Sequence, residues 1–287
     1  MNKFGLETNY IQNMKKIIVP IDFSKDSLNA LQHAIWIANL VDADIRIVHV
    51  TKTKNFEMPF YIENFDKMVG KSLKDFMEMI YKKYKAKVKN KLDYKIRVGK
   101  VYREIVNQAK YDDAYMIVMG THGVSGFEEM WIGSNAYRVV SNAPCPVLTI
   151  RHGFLKCMVG NIVLPIDVSA DTRKKVPFST EIAKYLKSTV HVLLVTESNS
   201  PTIKKKVEGY GKQVVDYLKK SGVKYVLASE TGDNLTDVTI EYANTIGADM
   251  ISIMSEQSST TSNLWLGAYA QQMVNHSPLP VLCHHFE

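Results

Sequence analysis

The chain has 287 residues, 46% of them hydrophobic and 23% charged, and carries a net charge of +7. These proportions exclude a disordered or collagen-like chain and fit two globular domains that need neither metal nor disulfide to close a core. No apolar stretch reaches the ~18–20 residues of a membrane helix, no signal sequence opens the chain, and the three cysteines form no C-x-x-C pair, so a cytoplasmic location is expected. Cys145, Cys157 and Cys283 read as packing residues.

Residues 1–13 read as a loose extension. Residues 17–21 are an apolar run of the kind expected for a strand buried on both faces of a parallel sheet, with Asp22 at its carboxyl end. Ser24 is a candidate N-cap for a helix that carries Leu28, Leu31, Ala34, Ile35 and Ala38 at helical spacing. Residues 45–50 are a second apolar strand. The segment 51–91 begins polar and becomes helical, with Ile62, Phe65, Val69, Leu73, Phe76, Ile80 and Tyr84 on one stripe. Residues 92–98 are a more polar strand suited to a sheet edge, 102–109 a helix, 116–119 a fourth strand and 147–150 a fifth. This alternation predicts right-handed crossovers and a doubly wound parallel sheet, whose ligands sit past the strands' carboxyl ends where the winding reverses.

The stretch 116–135, MIVMGTHGVSGFEEMWIGSN, is the one with chemistry in it. Its glycines fall as G-x-x-G-(nine)-G-S, with Gly120, Gly123, Gly133 and Ser134 in the fixed places and Gly126 as an extra. Glycines after a strand allow φ > 0 and let a ligand approach main-chain N–H groups, so the loop could cradle phosphate. Gly133-Ser134 opens a helix, which puts a hydroxyl and unpaired N–H groups at the positive end of its dipole. Taken alone, the stretch fits an ordinary glycine-rich turn equally well.

The second half repeats the first. Ile162-Val163-Leu164-Pro165-Ile166-Asp167-Val168-Ser169 matches Ile17-Ile18-Val19-Pro20-Ile21-Asp22-Phe23-Ser24, and the later strands recur in the same order, so two copies of one fold are expected, residues 1–153 and 154–287. The second loop has lost its first two glycines and one residue of length. Gly267 remains, Ala268 stands where Ser134 stood, and Glu256 brings a negative charge. The second half is therefore expected to bind nucleotide weakly or not at all, with Asp167 structural.

Together the IIVPIDFS opening, the IRIVHV strand, the glycine loop and the PCPVL final strand resemble the universal stress protein family, as a tandem two-domain member. The resemblance implies two Rossmann-like α/β domains of the adenine nucleotide alpha hydrolase-like kind, each a five-stranded parallel sheet in the order three-two-one-four-five with helices on both faces. It also implies pairing of the domains through their fifth strands. A stress-response sensor or regulator that binds ATP in its first domain follows from it, with a further homodimer left open. Carried over, the site maps onto Pro20, Ile21 and Asp22, onto Val50 near the adenine, onto Met119, Gly120, Thr121, His122, Gly123 and Gly126 around the phosphates and ribose, and onto Gly133, Ser134 and Asn135 at the helix start. Asp22 could hold the ribose or a magnesium-bound water, or simply cap its helix.

Other motifs are weaker. Gly70-Lys71-Ser72 imitates the end of a P-loop, but Phe65 stands in place of its first glycine. His122 near Ser125 and Ser134 lacks a third member for a triad. Cys283, His284 and His285 with His276 resemble metal ligands only loosely, because neighbours on a strand point to opposite faces. The lysine-rich run 82–100 reads as a solvated face, with no nucleic-acid-binding signature beside it. Efficient ATP hydrolysis would need positive charge at the γ-phosphate. The loop has no lysine or arginine, and Arg138 could either reach the phosphates or face solvent, so a binding module is favoured over a slow ATPase or nucleotidyl-transferring enzyme. A nucleotide-independent interaction module is the third reading.

Overall fold

The computed structural model describes residues 14–51, 65–121, 132–255 and 266–285, and of residues 65–70 the backbone alone. The expected extension 1–13, Ile62, Gly123, Gly126, His122 and Glu256 lie outside these residues, as do the side chains of Phe65 and Val69.

Strands Lys16–Pro20 (β1), Asp44–Thr51 (β2), Leu92–Val98 (β3), Met116–Gly120 (β4) and Val147–Ile150 (β5) are parallel and lie in the order 3-2-1-4-5. Strands Asn161–Ile166 (β6), Thr189–Thr196 (β7), Tyr225–Thr231 (β8), Met250–Met254 (β9) and Val281–His284 (β10) repeat that order. β10 pairs antiparallel with β5, Leu282 opposite Leu148, and the ten strands form one sheet. Ile17, Ile18 and Val19 are all fully buried, as a strand covered on both faces requires.

One core lies under helices Lys25–Val41 (α1), Phe65–Lys85 (α2), Val176–Leu186 (α5) and Pro201–Lys220 (α6). The other lies under Val101–Tyr111 (α3), Ser134–Asn142 (α4), Leu235–Thr245 (α7) and Ala268–His276 (α8). Each core runs through both halves of the chain.

Local chemistry sets the helix limits. Ser24 Oγ accepts the Ser27 N–H at 3.1 Å and starts α1, and Asp42 in the left-handed region returns its N–H to Ala38 and stops it. Gly70, Lys71 and Ser72 lie inside α2, where no phosphate loop can form. The core stripe of α2 differs from the expected one. Met77, Ile80 and Tyr84 are buried while Phe76 is 53% exposed, because the face turned to the core carries i, i+3, i+4 and i+7 from Met77, with Tyr81 partly buried, and Phe76 is one residue out of phase.

The connection between the halves is held by polar contacts. The Phe154 carbonyl accepts from Asn29 Nδ2 at 2.8 Å and from His33 Nε2 at 3.1 Å. Lys15 donates to Glu181 at 2.6 Å beneath the rings of Tyr115 and Tyr185, and Asp249 accepts from Lys156 and from the Gly160 and Asn161 N–H groups. Asn29→Ala is expected to cost about 1 kcal/mol in urea denaturation, the worth of one partly buried hydrogen bond. Cys145 and Cys283 are packed in the core, whereas Cys157 in this connection is exposed, its Sγ 3.7 Å from His33 Nδ1. The packing role expected of it is thus corrected, since the connection between the two halves leaves it exposed.

Candidate functional site

In the first half the winding reverses between β1 and β4, and a cavity of about 340 Å³ opens past their carboxyl ends. Pro20, Ile21 and Asp22 from the end of β1, Val50 from β2, and Met119, Gly120 and Thr121 from β4 all line it. So do Gly133, Ser134 and Asn135 at the start of α4. The sequence reading missed Val48 and His49 on β2, Val101 and Ile105 on α3, Ser27 on α1 and Ala136 on α4. Val48 alternates with Val50 and Ile105 follows Val101 by one helical turn, and those two periods were the available signal.

The cavity has two characters. One end is an apolar slot between Val48, Val50, Val101, Ile105 and Met119; the other is polar, with Asp22, Ser27, Thr121 and the first turn of α4. Ser134, Asn135 and Ala136 open α4, and their N–H groups have no carbonyl of their own helix to bond. Gly133 provides no capping side chain. That turn is a positive pole for an anion. Among the described lining residues Asp22 and His49 are the ionisable ones, and the His49 ring turns toward Phe23.

Neither glycine at this end has the positive φ that a glycine after a strand allows. At Gly120 a Cβ would come within 3.1 Å of the Asp26 backbone, so a side chain there would push β4 and α1 apart by a few tenths of an ångström. Gly133 has φ −59° and spends its own N–H on the Thr121 carbonyl at 2.8 Å, so the N–H groups on offer begin one residue later. Arg138 is exposed and stacks over the Tyr102 ring at 5.3 Å, away from the cavity lining.

Asp22 does two things at once. Its Oδ1 accepts the Ser24 N–H at 3.0 Å and the Ser24 hydroxyl at 2.6 Å, which braces the α1 cap, and the residue also lines the cavity. Phe23, next in the chain, sits at φ +67°, a left-handed backbone that costs a bulky residue about 1–2 kcal/mol. Its ring lies 4.7 Å from that of His49, whose Nδ1 is 2.7 Å from the Ile21 carbonyl.

The sequence model of the universal stress protein family matches residues 13–151 and again 158–285. The chain belongs to the universal stress protein family. Over 140 residues it is 36% identical to a universal stress protein of Methanocaldococcus jannaschii, which covers 48% of this chain and 82% of that one. Over 145 residues it is 31% identical to the universal stress protein YxiE of Bacillus subtilis, covering 47% and 98%. A solved universal stress protein from Archaeoglobus fulgidus superposes with a TM-score of 0.75 at 19% identity, over 94% of this chain and 98% of that one, a likeness that shows the fold. Membership supports a role in the stress response. Among the described residues no helix is long and apolar enough to cross a membrane, and no three His, Cys, Asp or Glu side chains gather as metal ligands.

The second domain of this universal stress protein has filled the corresponding crevice with its own side chains. About 20 Å³ remains between Asp167, Ser169, Thr172, Lys175, Ser255 and Tyr269. Tyr269 stands where Asn135 stands, and its hydroxyl crosses to Thr239 on α7, the counterpart of Ile105, at 3.1 Å. Lys175 stands where Ala30 stands, 2% exposed, and donates to the Thr172 carbonyl at 2.6 Å and to its hydroxyl at 3.0 Å. Burial pushes the Lys175 amine down to about 7 despite the nearby Asp167 carboxylate. Ala34, Val118 and Ile150 of the first domain become Ser179, Ser252 and His284 of the second. Ser252 Oγ lies 2.8 Å from both Ser179 Oγ and His284 Nε2. Burial, with the Lys175 charge behind it, pushes the His284 imidazole down to about 3. A hydrophobic core in one domain is a polar network in the other.

Proposed function

We propose that the first domain binds an adenine nucleotide, ATP, in the 340 Å³ cavity, and that the protein acts as a stress-response sensor or regulator through that binding. The observation that carries the reading is the asymmetry of the two domains: one crevice is open and polarised, its copy is plugged. The volume is that of a small-molecule site. The apolar slot suits a purine ring, and the first turn of α4 suits the phosphates that would trail from it. Asp22 could hold a ribose hydroxyl or a magnesium-bound water. With one carboxylate in the lining, a magnesium ion would be held mainly by phosphate oxygens and water. The plug of Lys175 and Tyr269 supports a second domain that takes up no nucleotide.

The described lining offers no lysine or arginine to a transferring phosphoryl group, which favours binding over turnover. Mass spectrometry of the denatured, freshly purified protein is expected to release an adenine nucleotide, and calorimetric titration of the emptied protein to give about one site per chain. A chain that binds neither ATP nor ADP with magnesium present would end this reading; about two sites would end the proposed asymmetry.

A further inference from the structure

The corner that follows β1 is built differently in the two domains, and the difference goes with the cavity. In both copies the aspartate at the strand end accepts the N–H of the serine two residues on, at 3.0 Å for Asp22 and 2.8 Å for Asp167. In both, the aspartate's own N–H points to a helix hydroxyl at 3.4 Å, Ser27 in one and Thr172 in the other. Capping the helix therefore needs nothing further.

The first domain nonetheless adds more. The Ile21 N–H donates to the Val48 carbonyl at 2.8 Å, within a strand pairing that the second domain shares at Ile166, and the Ile21 carbonyl additionally faces His49 Nδ1 at 2.7 Å. A carbonyl only accepts, so Nδ1 carries the proton. Phe23 is bent into the left-handed region at φ +67° and seated against the His49 ring, with Phe76 beyond it at 5.9 Å. In the second domain Leu194 stands where His49 stands and cannot donate. It packs instead against α6, where the missing side chain of Gly211 makes room for it. Val168, in place of Phe23, does not share the positive φ. Backbone strain of this kind persists where the surroundings enforce it and gathers at functional sites.

We propose that His49 is a positioning residue for the nucleotide site: by holding the Ile21 carbonyl and seating Phe23, it turns the chain so that Asp22 faces the ribose end of the cavity. The inference rests on the nucleotide reading for its ligand, and it goes further by making ribose recognition depend on a side chain that points away from the slot. Val48 and Val50 line the apolar side of β2; His49, between them, faces the α1 and α2 side and acts through the backbone of β1.

The test uses the full chain and three proteins: wild type, His49→Leu, which copies the second domain, and His49→Asn, which keeps an N–H donor where Nδ1 stood. In nucleotide-free protein the backbone carbon shifts of Phe23 are expected to leave the left-handed range in His49→Leu, while those of core residues such as Ile18 stay as in wild type. Affinity for ATP is expected to fall about tenfold, and the preference for ATP over 2′-deoxy-ATP to shrink, which loss of global stability would not produce. His49→Asn is expected to return the Phe23 shifts to the left-handed range and to restore the ATP affinity and the preference over 2′-deoxy-ATP to within about threefold of wild type. Unchanged Phe23 shifts in His49→Leu, or an Asn variant no better than Leu, would overturn the proposal. If wild type binds no adenine nucleotide, the functional reading falls while the Phe23 shifts still decide what His49 does to the corner.

Discussion

Between pH 7 and pH 9.5 the chain is expected to gain stability through Lys175, by up to about 3 kcal/mol, and Lys175→Met is expected to remove that gain. An unfolded lysine titrates near 10.4 (about that value in model peptides), whereas burial brings the folded one down to about 7. In that window the unfolded chain binds more protons than the folded chain, so stability rises with pH. The gain is complete above the unfolded value and is lost as the pH falls to the folded one. Urea midpoints of wild type and Lys175→Met across the window isolate the effect, because the other lysines and tyrosines contribute alike to both. Parallel profiles would mean that the amine reaches water. His284 acts in the same direction on the acid side. Its imidazole is pushed down to about 3 by burial and by the charge on Lys175, so stability falls as the pH drops from the ordinary histidine range toward that value.

Transplanting the second domain's plug into the first, Asn135→Tyr with Ile105→Thr, is expected to weaken ATP binding at least about a hundredfold, or ~2.7 kcal/mol. In the second domain the Tyr269 ring spans the crevice and bonds Thr239, and the space left is about 20 Å³ against about 340 Å³. Asn135 is exposed on the first turn of α4, so the tyrosine displaces no core side chain. Ile105→Thr alone, in a buried position, is expected to cost about 1–2 kcal/mol of stability and serves as the control for the polarity it adds to the slot. Calorimetry with ATP, alongside a thermal melt showing that the double variant is folded, checks the result. Undiminished affinity would place the ligand elsewhere.

Several parts of this site are physical consequences of short-range sequence pattern and were open to reading. An apolar run ending in aspartate, a capping serine, and glycines after a strand are each written in consecutive residues. The alternation of strand and helix limits the connections to right-handed crossovers, and with them the end of the sheet where Asp22 and Gly120 meet. The duplication was legible for the same reason, since equivalent strands need equivalent runs.

What was hidden depends on distances between segments far apart in the chain. Lys175 stands in the basic triplet Arg173-Lys174-Lys175, where no local pattern marks it for burial. A 3-10 turn at Ala170–Arg173 delays α5, and only then does Lys175 swing under the sheet while Lys174 stays out. The eroded glycines suggested a poor second site; the folded chain adds that Lys175 and Tyr269 occupy it. His49 likewise looked like an ordinary strand residue, because its partner, the Ile21 carbonyl, lies across a strand pair 28 residues away. Periodicity along the chain determined which residues face a sheet, and the alternation of strand and helix determined that the strands within each half run parallel. Which of two similar crevices stays open was decided by side chains meeting across the fold, because a cavity is the space that several segments jointly fail to fill.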